Sequence, residues 1–420
     1  MRRKANMNLL KYNRHWEKNY RYPYAKHRAI FKQLTNQLNT RQIIEISGLR
    51  RTGKTTLLFQ ILNYLLNQNH NPFSLWYFTF DEEKPKLEEL LDTFSKQTQI
   101  DVKDEQIFIF LDEIQKLPDF QNQLKVYYDL YPNLKFFISG STSLFIRKKS
   151  QESLAGRIKS LFLTPLKFEE YLLFNNTLEI LDNPILFKTE IEKNFEIFLT
   201  NQLIESISFP DINSKKDYYI GIMKKIIFED IPSIFAVNNV EVLWQIIRMI
   251  AQQPGMYIDY QNLANELGFS NKTISAYLYY LEESFLVKKL YNFSRNRITS
   301  EKKLKRFYLA SPSFSWALTE FLETGRLVEN LIPSLKNYQF FWRDPYHHEV
   351  DFIEIENNQI LPIEIKYKET IQSKDINNLL LFSKKFNCNK AIIFKKGVEE
   401  QSTYFDSHGV EIIEKPIYRI

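Results

Sequence analysis

Four short apolar runs mark the first third of the chain: Gln42–Ser47, Leu75–Phe80, Gln106–Leu111 and Leu134–Ser139. Near-continuous apolar segments of this length suit parallel strands covered on both faces. Thr55–Leu66 carries a helical pattern between the first two, as right-handed βαβ crossovers require. Residues 165–235 turn mostly helical, with Phe168–Phe174 and 190–206 as the clearest stretches. From 238 to 310 the pattern predicts three helices and then a hairpin. Tyr260–Leu267 is closed by Gly268, and Ser270 is placed to N-cap Asn271–Phe285. A glycine turn between two helices is the helix-turn-helix signature. Strands return after 311 in a different arrangement. The expected fold class is therefore α/β: a parallel sheet with helices, then a helical stretch, a helix-turn-helix with hairpin, and a second α/β region.

The second region contains the sharpest geometric pattern. Glu349–Glu356 and Gln359–Lys366 flank Asn357-Asn358, and Asn tolerates the positive φ that a two-residue hairpin turn needs. Counting back from the turn pairs 356 with 359, Asp351 with Glu364, and Glu349 with Lys366. These four side chains then share one face, with opposite Cβ atoms about 5 Å apart. Asp351 and Glu364 could share one Mg²⁺ or Mn²⁺, and Lys366 would stabilise an attacked phosphate or orient water. Pro362 lacks an N–H and threatens the register near Ile353. The plainer reading is a cross-strand Glu349–Lys366 salt bridge with Asp351 solvated.

Candidate chemistry in the first region begins at Gly48-Leu49-Arg50-Arg51-Thr52-Gly53-Lys54-Thr55-Thr56, a full match to G-x-x-x-x-G-K-[ST]. The glycines let backbone N–H groups turn toward phosphate oxygens. Lys54 would reach the β- and γ-phosphates, and the Thr55 hydroxyl would ligate Mg²⁺. The helix after the loop aims its N-terminus at the same place. The run ending in Asp112-Glu113 supplies the companion acids. Asp112 would hold Mg²⁺ through water and Glu113 would polarise the attacking water. In Ser139-Gly-Ser141-Thr142, Ser141 is preferred as a γ-phosphate-sensing hydroxyl, although a helix-capping turn explains the same residues. Arg157 is a candidate arginine finger, acting within a chain or across a subunit interface; a surface arginine is the competing reading.

Composition narrows the setting. Hydrophobic residues make up 44% and aromatics 15% of 420 residues, enough for packed cores. No apolar run approaches the ~18 residues of a membrane span, no apolar segment succeeds the basic start, and Cys388 is the single cysteine, which leaves no intrachain disulfide. A cytoplasmic setting without membrane contact is expected. The net charge of +6 hides two basic segments, residues 1–28 and 288–306, on an otherwise mildly acidic chain, a pattern that suits a polyanion. The N-terminal arm, with Tyr12, Trp16, Tyr20, Tyr22 and Tyr24, could stack on bases or pack on the first domain.

Residues 40–175, with GLRRTGKTT, FLDEIQKLPDF, FFISGSTSLF, LAGRI and LTPLKFEEYL in order, resemble prokaryotic AAA-type ATPases related to origin-recognition and signal-transduction ATPases. The resemblance runs on through a winged helix to a domain similar to PD-(D/E)xK nucleases. It implies a basic arm (1–38), a P-loop ATPase core (39–165), a helical lid (166–236), a winged helix (237–310) and a nuclease-like domain (311–420). Glu329 matches the acid that such nucleases carry on the preceding helix, joining Asp351, Glu364 and Lys366. In the winged helix, Lys272 and Ser275 would face a DNA groove, and Lys288, Lys289, Arg295, Arg297, Lys302 and Lys303 would lie on phosphates. The expected function is an ATP-hydrolysing, DNA-binding ATPase controlling a metal-dependent nuclease domain. The alternatives are an ATP-switched DNA-binding regulator with a silent nuclease-like domain, and a signalling ATPase whose later domains bind a protein partner. A homo-oligomer is left open.

Overall fold

In the computed structural model, which describes residues 7–103, 105–141, 154–357, 359–406 and 409–420, the four apolar runs become strands β1 (Ile43–Ser47), β2 (Leu75–Thr79), β3 (Ile107–Asp112) and β4 (Leu134–Gly140). A fifth strand, β5 (Ile158–Phe162), has exposed polar positions and escaped the apolar pattern. The order is β2-β3-β4-β1-β5 with every pairing parallel. Helices α1 (Phe31–Thr35), α2 (Lys54–Asn67), α3 (Leu87–Thr98) and α4 (Phe120–Leu130) belong to this first unit, residues 1–163. Two apolar cores form in it, one around Trp76, Phe94 and Phe136 and one around Leu58, Ile61 and Phe110. This is an α/β P-loop sheet, and β4 lies between β1 and β3. That insertion brings the end of β4 between the loop after β1 and the acids after β3.

The N-terminal arm packs on this unit. Asn13 uses its side-chain amide as a strand: it accepts from Tyr77 N (2.8 Å) and donates to Tyr77 O (3.0 Å). His15 and Trp16 both reach the Leu75 carbonyl, at 2.9 and 3.2 Å. Tyr12 packs edge-on against Phe78 and Tyr22 stacks on Phe59. The arm therefore covers the edge of β2, and of its two expected uses the structure displays the packing one.

Residues 164–420 form the second unit. Its nine-stranded mixed sheet has the order β13-β14-β12-β11-β10-β9-β7-β8-β6. The strands are β6 (Met256–Ile258), β7 (Val287–Asn292), β8 (Lys305–Leu309), β9 (Phe340–Arg343), β10 (Glu349–Glu356), β11 (Gln359–Lys366), β12 (Lys390–Lys395), β13 (Ser402–Phe405) and β14 (Glu411–Pro416). In β12, Ile392 and Phe394 face one core while Ala391 and Ile393 face the other, the period-2 pattern of a sheet buried on both sides. Helices α5 (Phe168–Phe174), α6 (Lys188–Phe198), α7 (Ile212–Lys225) and α8 (Val240–Gln252) lead into α9 (Tyr260–Leu267) and α10 (Asn271–Glu283). The later helices are α11 (Arg297–Lys302), α12 (Pro312–Ala317), α13 (Thr324–Leu335) and α14 (Ser373–Phe386).

Two expected boundaries need correction. The segment expected as a lid, 166–236, buries Phe168, Phe195 and Phe198 in one core with Phe352 and Ile363; it is built into the second unit. The boundary expected at 310/311 falls inside a continuous sheet, because β7 pairs in parallel with β9 through Tyr291↔Phe340. Among the described residues no helix is long and apolar enough to cross a membrane.

Candidate nucleotide site and a closed acidic cluster

The loop after β1 is shaped by backbone geometry that side chains resist. Gly48 has φ +154°, and a Cβ there would meet the Leu163 carbonyl oxygen at 2.4 Å. Gly53, at φ 97°, turns the chain into α2. Lys54 is buried, and its Nζ donates to the Gly48 and Leu49 carbonyls, both at 3.0 Å. Thr52 Oγ1 donates to Leu49 O (2.8 Å), and Arg28 from the arm donates to Thr52 O (3.0 Å). Leu49, Arg50, Arg51 and Thr56 complete the segment, with Arg51 at φ 66°.

Across the loop, the Thr55 hydroxyl donates to Asp112 Oδ2 at 2.7 Å. Asp112 also accepts from Tyr77 Oη (3.2 Å) and from Ser139 Oγ. Burial pushes the Asp112 carboxyl above its ordinary range, Glu113 beside it adds to that, and the hydroxyls of Ser139 and Thr55 oppose it. Glu113 sits at φ 52°, ψ 43°, a left-handed conformation unusual for a side chain of its size. Its carboxylate accepts from Ser141 Oγ at 3.2 Å, and Gln115 Nε2 bridges Glu113 and Ser141. So Lys54, Thr55, Asp112, Glu113 and Ser141 lie together. Ser139 serves Asp112 instead, and Thr142 is outside the described residues. Tyr77, Gln115 and Arg28 were not foreseen. For Gln115 the sequence offers only a polar side chain two positions past Glu113, which does not by itself mark a role.

This donor set suits a nucleotide with Mg²⁺. A buried ammonium, a helix N-terminus and a glycine loop suit phosphates, and a hydroxyl touching a buried carboxylate suits a hard cation with oxygen ligands. Arg157 does not join them within the chain. It precedes β5 at the opposite ends of the strands, its carbonyl accepting from Ile43 N (2.8 Å), and its guanidinium makes a two-bond ion pair with Asp129 at 2.8 and 3.1 Å. The length of β1, about 13 Å at 3.3 Å per residue, separates it from the loop.

In the second unit the hairpin register is the expected one from Glu356↔Gln359 to Phe352↔Ile363, with Ile353 opposite Pro362. Regular pairing stops there, and the β9–β10 pairing shifts between Val350 and Ile353. Beyond it, Asp351 and Glu364 meet through the backbone: Ile365 N donates to Asp351 Oδ2 (2.9 Å) and Asp351 N to Glu364 Oε2 (3.4 Å). Lys366 bonds Glu364 Oε1 at 2.5 Å, not Glu349. Glu364 is buried, which pushes its carboxyl well up, and Asp351 adds to the effect.

The central cation is Arg306, 4% exposed. Its guanidinium pairs with Glu329, with Glu349 at 2.8 Å and with Asp351 at 3.8 Å. The expected use of this segment on DNA phosphates therefore fails at Arg306. Lys289 pairs with Glu282 at 2.6 Å, and the exposed Arg295 donates through Nη2 to the Phe386 carbonyl. Lys288 is half-buried, Lys272 exposed, Ser275 half-buried and Lys303 half-buried near Lys385. The side chains of Arg297 and Lys302 lie outside the described residues. The expected divalent cation does not fit Glu329, Asp351 and Glu364 as they stand: their oxygens already face Arg306, Lys366, Arg326 and N–H or O–H donors. Among the described residues no group of three metal-ligating side chains is arranged to hold an ion.

The first unit thus has the parallel sheet, glycine loop and paired acids of a P-loop fold. Residues 40–172 match the family model of an AAA domain, while 205–324 and 325–418 each match a domain of unknown function. The chain is 26% identical over 377 residues to an uncharacterised protein of Methanocaldococcus jannaschii, covering 84% of this chain and 81% of that one. It is 26% identical over 403 residues to an uncharacterised protein of Haemophilus influenzae, covering 91% and 95%. Among solved structures, Cdc6p from Pyrobaculum aerophilum matches at 12% identity and TM-score 0.31, over 76% of this chain and 99% of that one. C. elegans PCH-2 matches at 16% identity and TM-score 0.25, over 39% and 45%.

Proposed function

We propose that this chain binds and hydrolyses ATP with Mg²⁺ in its first unit and binds DNA through its second. The observation that carries the ATPase reading is the joined cluster of Lys54, Thr55, Asp112, Glu113 and Ser141 at the ends of β1, β3 and β4. The loop N–H groups and Lys54 would hold the phosphates, and Thr55 with Asp112 would hold Mg²⁺, which neutralises phosphate charge when bound. Glu113 accepts a proton from the attacking water, and Ser141 with Gln115 fixes its carboxylate. Lys54→Ala is expected to abolish ATP binding. Glu113→Gln should keep binding and slow hydrolysis by about 10²-fold or more. Wild-type turnover from Glu113→Gln would remove Glu113 from this role.

The order α8, β6, α9, α10, β7, β8 supports a winged-helix reading of the second unit. Gly268 at φ 74° makes the turn between α9 and α10, and Ser270 caps α10 by accepting from Thr273 N. Asn271 and Lys272 stand exposed on the first turn of α10, where a helix entering a groove makes its contacts. With Lys289 and Arg306 paired to acids of the chain, binding should rest on fewer cations than the sequence suggests. Lys272→Ala should weaken binding across all sequences and lower the salt slope by about 1. No DNA affinity at low salt would favour protein docking. DNA cleavage is not part of the proposal, and an arginine finger role for Arg157 would require a second copy.

A further inference from the structure

We propose that the acidic cluster of the second unit is a receptor for the chain's own Arg306 guanidinium, which acts as its resident cation and clasps β8 to β10 and α13. This goes beyond the proposed function and holds whether or not the first unit hydrolyses ATP.

The pocket is built around a planar cation. Arg306 Nη2 meets Glu329 Oε1, Nη1 lies 2.8 Å from Glu349 Oε1 and 3.8 Å from Asp351 Oδ1, and Nε donates to Gly255 O at 3.0 Å. Three rings surround the guanidinium carbon: Tyr308 at 5.4 Å, Tyr257 at 5.5 Å and Phe341 at 5.6 Å, all measured to ring centroids. Aromatic faces at this distance favour a delocalised cation with weak hydration, not a small hydrated divalent ion. Two of the rings also hold the acids: Tyr308 Oη donates to Glu329 at 2.7 Å and Tyr257 Oη to Glu349. Gly255, at φ 78°, permits the approach; a Cβ there would lie 2.7 Å from Arg306 Nη2, 2.8 Å from Tyr308 Oη and 2.9 Å from Glu329 Oε1.

The second Asp351 oxygen and both Glu364 oxygens are also taken. Asp351 Oδ2 accepts from Ile365 N, Glu364 Oε1 from Lys366 Nζ, and Glu364 Oε2 faces the Asp351 N–H. A Mg²⁺ or Mn²⁺ ion asks for several such oxygens at close range in octahedral array; here Glu329 Oε1, Asp351 Oδ2 and both Glu364 oxygens already have donors, and Glu329 Oε2 and Asp351 Oδ1 face guanidinium nitrogens at 3.7 and 3.8 Å. Adding the ion beside Arg306 would also crowd like charges in a buried site. The guanidinium therefore excludes the metal, and its removal should leave acids able to bind one.

The test is thermal unfolding of the full nucleotide-free chain with and without millimolar MnCl₂. Wild type and Asp351→Ala should respond to Mn²⁺ equally, because no ion reaches this cluster. Arg306→Gln should melt lower than wild type and gain a Mn²⁺-dependent rise in midpoint that Arg306→Gln/Asp351→Ala lacks. A Mn²⁺ rise in wild type that Asp351→Ala abolishes would overturn the proposal, as would Arg306→Gln melting like wild type, or melting lower without any Mn²⁺ response. If Arg306→Gln fails to fold, the comparison of wild type with Asp351→Ala still decides whether metal enters. Failure of this proposal leaves ATP hydrolysis untouched, since no arm contains nucleotide.

Discussion

His15 is held as a neutral ring by burial, and its two partners then set the tautomer. Tyr22 Oη lies 2.9 Å from Nδ1 and the Leu75 carbonyl 2.9 Å from Nε2. A carbonyl can only accept, so Nε2 carries the proton and Nδ1 accepts from the tyrosine. Burial pushes the imidazole down to about 4 from 6.5, with the Leu75 bond opposing. The unfolded chain then takes up a proton near pH 6.5 that the folded chain refuses until about pH 4. The stability tied to neutral His15 is full above pH 6.5 and lost as pH falls toward 4, by up to about 3 kcal/mol. Imidazole NMR should find His15 titrating near pH 4; a midpoint above 6 would sink this account. At this scale the sequence made Lys54, Thr55, Asp112 and Glu113 legible, because phosphate chemistry ties their types to fixed spacing. It left Tyr77, Gln115 and Arg306 hidden. Their roles depend on which strands adjoin, although Arg306 and Tyr308 do stand two apart on β8 and so share a face.

At the scale of elements, β2 is the exposed edge that a parallel sheet must protect. The arm protects it without a strand, and Asn13 carries the key pairing with both polar groups of Tyr77. Asn13→Ala would strand a buried N–H and a buried C=O, at about 1–3 kcal/mol each. Hydrogen exchange should speed up across 75–79 while the α10 amides keep their protection; unchanged exchange in β2 would show that other arm contacts suffice. The arm's basic, tyrosine-rich composition offered two uses, and composition could not choose between them because the edge position of β2 is set only by strand order. The hairpin of β10 and β11 was legible to the residue, since its turn and alternation are local. Its end was not: the irregularity between Val350 and Ile353 arises from pairing with β9, which no nearby residue announces.

At the scale of the whole molecule, local pattern and long-range pairing give different divisions. Helix, turn and hairpin signals separate 237–310 from 311–420, and each signal is correct as local structure. Yet β7 is joined to β9 by Tyr291↔Phe340 and Asn292↔Phe341, and Asn292 Nδ2 also donates to Arg343 O at 2.8 Å while Arg343 N donates back to Asn292 Oδ1 at 3.1 Å. Arg306 adds the clasp to Glu329, Glu349 and Asp351. Cutting at 310/311 would bare the edge of β9, leave three half-buried acids without their buried cation, and remove Leu290 and Tyr308 from the core they share with Phe352 and Leu331. Leaving such acids without their cation costs up to about 3–5 kcal/mol, a large part of a domain's total stability. A fragment of residues 164–420 is therefore expected to fold with one cooperative melting transition, while 311–420 should be aggregated or lack one. Circular dichroism melts of the two fragments decide the matter. A cooperative transition in 311–420 near that of 164–420 would restore the separate C-terminal domain that the sequence pattern suggests, and would reduce Arg306 to a contact between two independent folds.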